Sequence, residues 1–254
     1  MPDLKLNHYG YVDIMPHLTL DTFFNGKVRV TQNTTGYRFS IDSVLLAYHS
    51  LPRHGDKVLD LGTGCGIIPI LLVFRHPYIT VYGAEVQSEL AALAVSNVKE
   101  NQMEDRITVL FSDMKLLRPT MTDGPVDLVV CNPPYRKPGS GRINPDKQRA
   151  VARHEVKVNL LEIIQTAHRM LRTAGKFITI YTAERTTDIL AQMRMDDIEP
   201  KFLRMVHSRR NTDAKLILIE GIKGARPGLK IAPPVIVYDN QGDYTNEVKQ
   251  MFKP

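Results

Sequence analysis

The chain has 254 residues, a length that fits one large α/β domain with a full hydrophobic core. Its 33 basic and 27 acidic residues give a net charge of +6, a surplus that is common among enzymes acting on nucleic acids. Two cysteines exclude a disulfide framework, no apolar run reaches membrane-spanning length, and the N-terminus lacks the apolar core of a secretory signal, so we expect a cytoplasmic protein.

The first 50 residues predict a front segment made of a hairpin and a helix. Residues 18–24 and 27–32 flank Asn25-Gly26, a pair that tolerates the positive φ of a tight hairpin turn. Asp42 is typical of a helix N-cap, and the helix should continue to Leu51. We therefore divide the chain into an N-terminal extension over 1–50 and one domain over 51–254.

The rest of the chain predicts an α/β sheet. Strand and helix patterns alternate from residue 56 to about 182, which implies parallel strands with right-handed crossovers. A helix over about 158–171 should have Gly175 as its C-cap, ahead of a strand over 176–181. The runs 202–207 and 215–220 are joined by a turn too short for a parallel crossover, so the last strand should be antiparallel.

Glycines and acids stand at the ends of the first predicted strands. Residues 58–70 predict a short buried strand, a glycine turn that can approach a ligand, and the start of a helix. The turn glycines are Gly62, Gly64 and Gly66. The next two strands end on Glu85, which could accept the hydroxyls of a ribose, and Asp113, which could accept from an adenine amino group. Each acid alone fits a solvated strand end or a helix cap better, but their order and spacing favour a binding site.

The segment Asn132-Pro133-Pro134-Tyr135 follows the buried run 126–131 directly. The Asn side-chain carbonyl and the first proline's backbone carbonyl both accept hydrogen bonds, and no proline N–H competes. The Tyr ring offers a flat face for stacking. Two acceptors beside a stacking surface fit the –NH2 group of a flat base or an amide. Alone, the tetrapeptide fits a proline-terminated strand with a tight turn equally well.

Together these strand ends resemble the class I S-adenosylmethionine-dependent methyltransferases that methylate amino groups. The resemblance covers at least residues 56–182 and rests on Asp60-x-Gly62-x-Gly64-x-Gly66, Glu85, Ser112-Asp113 and Asn132-Pro133-Pro134-Tyr135. Residues 36–47, 152–155 and 242–245 are similar to the tRNA1(Val) adenine-37 exocyclic-amine methyltransferase family. The fold that the resemblance implies is a Rossmann-like, mostly parallel seven-stranded sheet with one antiparallel strand.

The resemblance also implies a cofactor and a set of site residues. The cofactor is S-adenosyl-L-methionine, no metal is expected, and residues 1–50 would cover the cofactor site. The implied cofactor-binding residues are Phe39, Asp60, Gly62, Gly64, Gly66, Glu85, Asp113 and Asn132. The implied catalytic residues are Asn132, Pro133, Pro134 and Tyr135.

The chemistry at these catalytic residues would be positioning and polarisation, because the sulfonium donor is already activated. An aromatic amine is a poor nucleophile, since its lone pair is delocalised into the ring. Hydrogen bonds from its two protons to Asn132 and the Pro133 carbonyl would favour a pyramidal nitrogen, and Tyr135 would stack on the base and fix its distance. No general base is needed, and the target base must leave its stack to reach the site.

Basic residues follow the tetrapeptide and indicate the class of substrate. They are Arg136, Lys137, Arg142, Lys147, Arg149 and Arg153, with Asp146 the one acid among them. A charge run is usually a solvated face, but this one leaves the catalytic strand end directly, which favours contact with phosphates. Arg209 and Arg210 could extend the surface, whereas His154-Glu155 fits a helix-capping or loop-ordering pair better than a catalytic one.

Three hypotheses about function therefore stand. An RNA adenine methyltransferase, acting on tRNA and needing no protein partner, is favoured by the basic run and the family-like flanks. A glutamine-amide methyltransferase acting on a protein would use the same tetrapeptide, but that branch usually carries an N-terminal helical domain. A non-catalytic RNA-binding protein on this scaffold would have no use for the acidic strand ends.

Overall fold

A computed structural model of the chain describes residues 18–34, 41–133 and 160–253. The predicted front hairpin is present as β1 (Leu18–Phe23) and β2 (Val28–Asn33). The central sheet consists of β3 (Lys57–Leu61), β4 (Thr80–Glu85), β5 (Ile107–Phe111), β6 (Val126–Cys131), β7 (Leu171–Thr182), β8 (Ile198–His207), β9 (Ala214–Lys223) and β10 (Lys230–Ile236). The α-helices of the described part are α1 (Ile41–His49), α2 (Ile67–Arg75), α3 (Ser88–Glu100), α4 (Leu160–Met170), α5 (Thr186–Met195) and α6 (Asn246–Met251).

The central sheet has the order β10-β8-β9-β7-β6-β3-β4-β5. Strand β9 runs antiparallel to β7 and β8, and the other neighbouring pairs are parallel. This confirms a mostly parallel sheet with one reversed strand. The seven strands implied by the resemblance are present, and β10 is an eighth that the sequence does not predict.

Strand β10 escapes prediction because it contains Pro233 and Pro234, which argue against a strand. Its position at the sheet edge explains why the prolines are tolerated, since one side of the strand needs no ladder partner. The pairing with β8 shifts register between Ala232 and Val235, on either side of the two prolines. No helix in the described ranges is both long and apolar enough to cross a membrane.

Alternation along the central strands divides the core between the two faces of the sheet. On β3, Val58 belongs to the buried cluster that includes α1, α2 and the front hairpin. Leu59 and Leu61 belong to a second cluster that includes α4 and α5. Both faces of the parallel strands are therefore covered, as expected for a sheet with crossover helices.

Two predicted helix caps are wrong. Helix α1 begins at Ile41 and ends at His49, so Asp42 lies in its first turn rather than at its N-cap. Gly175 lies within β7, which begins directly after α4. Ala174, and not Gly175, adopts the left-handed conformation at this point, with φ 60°. These errors are local and leave the predicted order of elements unchanged.

Candidate functional site

The register of the sheet brings the predicted strand ends to one edge. Leu61 of β3 pairs with both Ala84 of β4 and Cys131 of β6. The residues that follow these three are Gly62, Glu85 and Asn132. Because neighbouring strands lie about 4.8 Å apart, the segment after β6 lies next to the glycine turn and roughly 10 Å from the end of β4. The carboxyl edge of the sheet is therefore the candidate site.

The glycine turn takes backbone conformations that side chains disfavour. Its φ angles are 73° at Gly62, 58° at Gly64 and 84° at Gly66. The amides of Gly62 and Thr63 donate to the Ala84 carbonyl, at 2.9 and 3.0 Å, and hold the turn against β4. Among the described residues, no heavy atom lies within 4 Å of the position that a Cβ would take at Gly62, so the turn borders space that these residues leave open. A ligand can therefore approach the backbone there.

Glu85 is buried and already makes three hydrogen bonds. Its Oε2 accepts from the Gly64 amide, and its Oε1 accepts from the Val86 and Gln87 amides, all at 2.9 Å. Burial raises the pKa of this carboxyl, while the hydrogen bonds from Gln87, Gly64 and Val86 oppose the rise. A carboxylate has about four acceptor sites, so one remains, on Oε2. In this geometry Glu85 can accept from one ligand hydroxyl rather than two.

Asp60 is fully buried and is the next-to-last residue of β3, two positions before Gly62 of the glycine turn. Within the described ranges, neither of its carboxylate oxygens nor the Thr63 hydroxyl has a hydrogen-bond partner. Burial raises the pKa of Asp60 to about 7; the nearby Thr63 hydroxyl opposes this rise and the charge of Glu85 adds to it. A buried carboxylate without a counter-ion is costly, so this part of the site favours a positively charged ligand group.

Asp113 follows β5 and caps a short 3-10 helix over Met114–Leu116. Its Oδ1 accepts from the Lys115 amide at 3.0 Å, and its Oδ2 lies 3.7 Å from the Lys115 Nζ. The structure thus contains the helix cap that the sequence allowed as an alternative. The side chain is still 36 % exposed, so a contact with a ligand amino group stays a prediction.

The end of β6 positions Asn132. The carbonyl of Cys131 accepts from the Thr179 hydroxyl at 2.8 Å, and Pro133 on the other side is buried. The half-buried Asn132 side chain donates from Nδ2 to the Ser43 Oγ at 3.1 Å. Ser43 lies on α1, 89 residues earlier in the chain, and sequence reasoning assigned it no role.

Asn97 of α3 is a second residue that the sequence does not single out. Its Nδ2 donates to the carbonyls of Thr31 and Cys65, at 2.8 and 2.9 Å, and its Oδ1 accepts from the Thr31 amide at 2.8 Å. The side chain therefore joins β2 of the front hairpin to the glycine turn. Buried polar side chains are normally hydrogen-bonded, so a buried Asn in a helix indicates such partners. The burial of Asn97 is known only from the structure.

The remaining predicted site residues lie outside the described residues, and their roles stay predictions. They are Phe39, Pro134, Tyr135, Arg136, Lys137, Arg142, Lys147, Arg149, Arg153 and the pair His154-Glu155. Arg209 and Arg210 are described and exposed, in the turn between β8 and β9. This turn is at the same sheet edge as Asn132, two to three strand spacings or roughly 10–15 Å along it.

Comparison with known proteins identifies the family. The methyltransferase small domain family matches residues 37–196, which include the glycine turn, all three acids and the Asn-Pro-Pro-Tyr segment. The chain belongs to this family. The enzyme is a methyltransferase, and the family match includes helix α1 and strands β3 to β7.

Relatives and solved structures agree with this assignment. The tRNA1(Val) (adenine(37)-N6)-methyltransferase of Porphyromonas gingivalis is 28% identical to this methyltransferase over 246 residues, 92% of this chain and 94% of the relative. A predicted O-methyltransferase from Agrobacterium tumefaciens has the same fold, with a TM-score of 0.66, 23% identity, and 83% of this chain and 94% of that chain covered. The geranyl diphosphate C-methyltransferase of Streptomyces coelicolor, solved with S-adenosyl-L-homocysteine, has a TM-score of 0.52 and 14% identity, with 71% of this chain and 76% of that chain covered.

Proposed function

We propose that this protein uses S-adenosyl-L-methionine to methylate the exocyclic N6 amine of an adenine in tRNA. The observation that carries the proposal is the position of Asn132, an amide acceptor at the sheet edge beside the glycine turn. The relative from Porphyromonas gingivalis is named for adenine 37 of tRNA1(Val), and we propose the same target nucleotide here. Its match covers nearly all of both chains, so no additional domain of the relative is needed to explain the activity.

The residues around the glycine turn fit S-adenosyl-L-methionine better than a dinucleotide. When bound, this cofactor supplies a methyl group already activated on a positively charged sulfonium. Asp60 places a fully buried carboxyl beside the turn, which favours a ligand with a positive group and opposes a pyrophosphate. We assign the space at Gly62 to the cofactor, with one hydroxyl contact at Glu85 and its amino-group contact at Asp113.

Asn132 and Pro133 would act on the target amine. Its two protons would be donated to the Asn132 Oδ1 and the Pro133 carbonyl, and these bonds favour the pyramidal nitrogen whose lone pair is available for attack. This polarisation needs no strongly basic group, and stacking by Tyr135 would hold the base at a fixed distance. The fold contributes the fixed position of β6, held between β3 and β7.

The front segment and the basic run have different proposed roles, one at the cofactor site and the other at the tRNA. Helix α1 brings Ser43 to Asn132, and the front hairpin is joined to the glycine turn through Asn97. We propose on these contacts that residues 1–50 cover the cofactor site. The basic run over 136–153, extended by the exposed Arg209 and Arg210, would bind the tRNA phosphates on either side of the extruded adenine.

A ligand panel and a methyl-transfer assay test the proposed function. At about 100 times its Kd, S-adenosyl-L-methionine should stabilise the protein by roughly 2.7 kcal/mol, which raises Tm by about 5–10 °C. NADH should not raise it. Tritiated methyl groups should then be transferred to tRNA and not to a protein that carries an exposed glutamine. Transfer to the glutamine protein alone would establish the amide-methylating alternative, and cofactor binding with no transfer would favour a non-catalytic RNA-binding protein.

A further inference from the structure

The hydroxyl of Ser43 makes a side-chain contact with the proposed catalytic amide. Ser43 is fully buried in α1, and its Oγ accepts from Asn132 Nδ2 at 3.1 Å. Pairing Nδ2 with Ser43 turns the other end of the amide, Oδ1, away from α1. The contact therefore sets which end of the amide, Oδ1 or Nδ2, is turned away from α1.

The orientation matters because the two ends of an Asn side chain have opposite hydrogen-bonding properties. Oδ1 accepts and Nδ2 donates, so only Oδ1 can receive a proton of the target amine. The terminal torsion of Asn is broad and roughly two-fold, so the side chain alone does not select one end. A reversed amide would present N–H groups to the N–H groups of the substrate, which is repulsive.

Helix α1 is fixed well enough to serve as a reference for this orientation. It packs against α2, β7 and α6. Near its C-terminal end, the His49 Nδ1 is 2.8 Å from the Leu45 carbonyl and its Nε2 is 2.9 Å from the Arg204 Nη1. Arg204 in turn pairs with Glu247 of α6 at 2.6 Å. These contacts connect the C-terminal end of α1 to β8, which contains Arg204, and to α6.

We propose that Ser43 is a positioning residue that holds the Asn132 amide with Oδ1 toward the target amine. The inference rests on the proposed function and adds to it a residue from the front segment. Ser43 itself does not touch the substrate. Its loss should therefore lower the rate of methyl transfer while leaving the binding of tRNA and cofactor unchanged.

The test is steady-state methylation of tRNA by Ser43→Ala, with Ser50→Ala as the matched control. Ser50 follows α1, is equally buried, and donates to the Leu46 carbonyl at 2.8 Å rather than to the amide. For Ser43→Ala we expect kcat to fall about tenfold, because misorientation of a positioning group costs rate, with both KM values unchanged. Ser50→Ala should lower Tm comparably and keep the wild-type kcat. Ser43→Thr, which restores the hydroxyl, should recover most of the rate.

A double-mutant cycle separates positioning from a general structural effect. In an Asn132→Ala background, Ser43→Ala should have no further effect on kcat, since there is no amide left to orient. Equal kcat values for Ser43→Ala and Ser50→Ala, or independent multiplicative losses in the cycle, would overturn the inference and leave the proposed function intact. If the wild type transferred no methyl group to tRNA, the proposed function and the inference would both be wrong.

Discussion

Replacing Asp60 with Asn removes a buried charge while keeping the size of the side chain. In the wild type, burial raises the pKa of Asp60 from its ordinary value of 3.8 to about 7. Between these two values Asp60 binds more protons in the folded protein than in the unfolded chain, so its contribution to stability is greatest below about pH 4 and falls as the pH rises to 7. Asp60→Asn has no ionisable group at this position and should not show this loss.

The size of the effect follows from the difference between these two pKa values. From pH 5 to pH 7 the folded protein keeps a proton that the unfolded chain has lost, and each pH unit changes stability by about 1.36 kcal/mol. The wild type should therefore lose on the order of 2.7 kcal/mol relative to Asp60→Asn between pH 5 and pH 8, or roughly 5–10 °C in Tm. The Tm range spans a factor of two because the change in Tm per kcal/mol depends on chain length.

The assay is thermal unfolding of both proteins at pH 5 and pH 8 without cofactor. Asp127→Asn is the matched control, because the pKa of Asp127 is lowered rather than raised. Burial raises the pKa of this carboxyl, but the hydrogen bonds from Arg172 and from the Lys57 amide outweigh the effect of burial. The stabilisation that comes from a lowered carboxyl pKa is fully present above the pKa of the unfolded chain. The loss of stability in Asp127→Asn should therefore be the same at pH 5 and pH 8. A wild-type minus Asp60→Asn difference that does not change with pH would refute the account of Asp60. Saturating S-adenosyl-L-methionine should reduce the pH dependence of the wild type, because a cationic ligand favours the ionised carboxyl.

Three further changes test the cofactor and substrate contacts. Asn132→Ala should lower kcat about a hundredfold or more with the fold and tRNA affinity retained; near-normal turnover would exclude Asn132 as the polarising group. Asn97→Ala should cost roughly 1–3 kcal/mol of stability and also weaken cofactor binding. The control is Asn101→Ala, at a residue that does not contact the glycine turn, and it should lower stability alone. Equal cofactor affinities of the two variants by calorimetry would contradict this. Replacing Arg142 and Lys147 with Ala should reduce the slope of log K against log salt for tRNA by roughly 0.7–0.9 per lost phosphate contact; parallel lines would mean a solvated face.

The order of strand ends is the part of the site that sequence reasoning predicts well. Gly62, Glu85 and Asn132 each follow a short buried strand, and a parallel sheet must collect such positions at its carboxyl edge. The hairpin is equally local, since Phe24, Asn25 and Gly26 supply the consecutive positive φ angles of its turn. Periodicity and turn chemistry suffice for both features.

The contacts that orient the site are beyond local patterns. The Ser43–Asn132 and Asn97–Cys65 pairs join residues 89 and 32 positions apart, and neither pair is marked by spacing or composition. The burial of Asp60 without a hydrogen-bond partner among the described residues is likewise a tertiary property, because no local pattern in the sequence marks it. Strand β10 is not predicted because it contains two prolines. Prolines are tolerated in an edge strand, and the edge position of β10 is known only from the assembled sheet.

The central claim is methylation of an adenine N6 amine in tRNA, and mass spectrometry of tRNA oligonucleotide fragments tests it most directly. tRNA from a strain lacking the gene should be incubated with the purified protein and S-adenosyl-L-methionine, then digested and compared with reactions containing Asn132→Ala. We predict N6-methyladenosine in the wild-type reaction at a single anticodon-loop adenine, and a strongly reduced yield with the variant. No N6-methyladenosine in the wild-type reaction, with S-adenosyl-L-methionine shown to bind, would contradict the account.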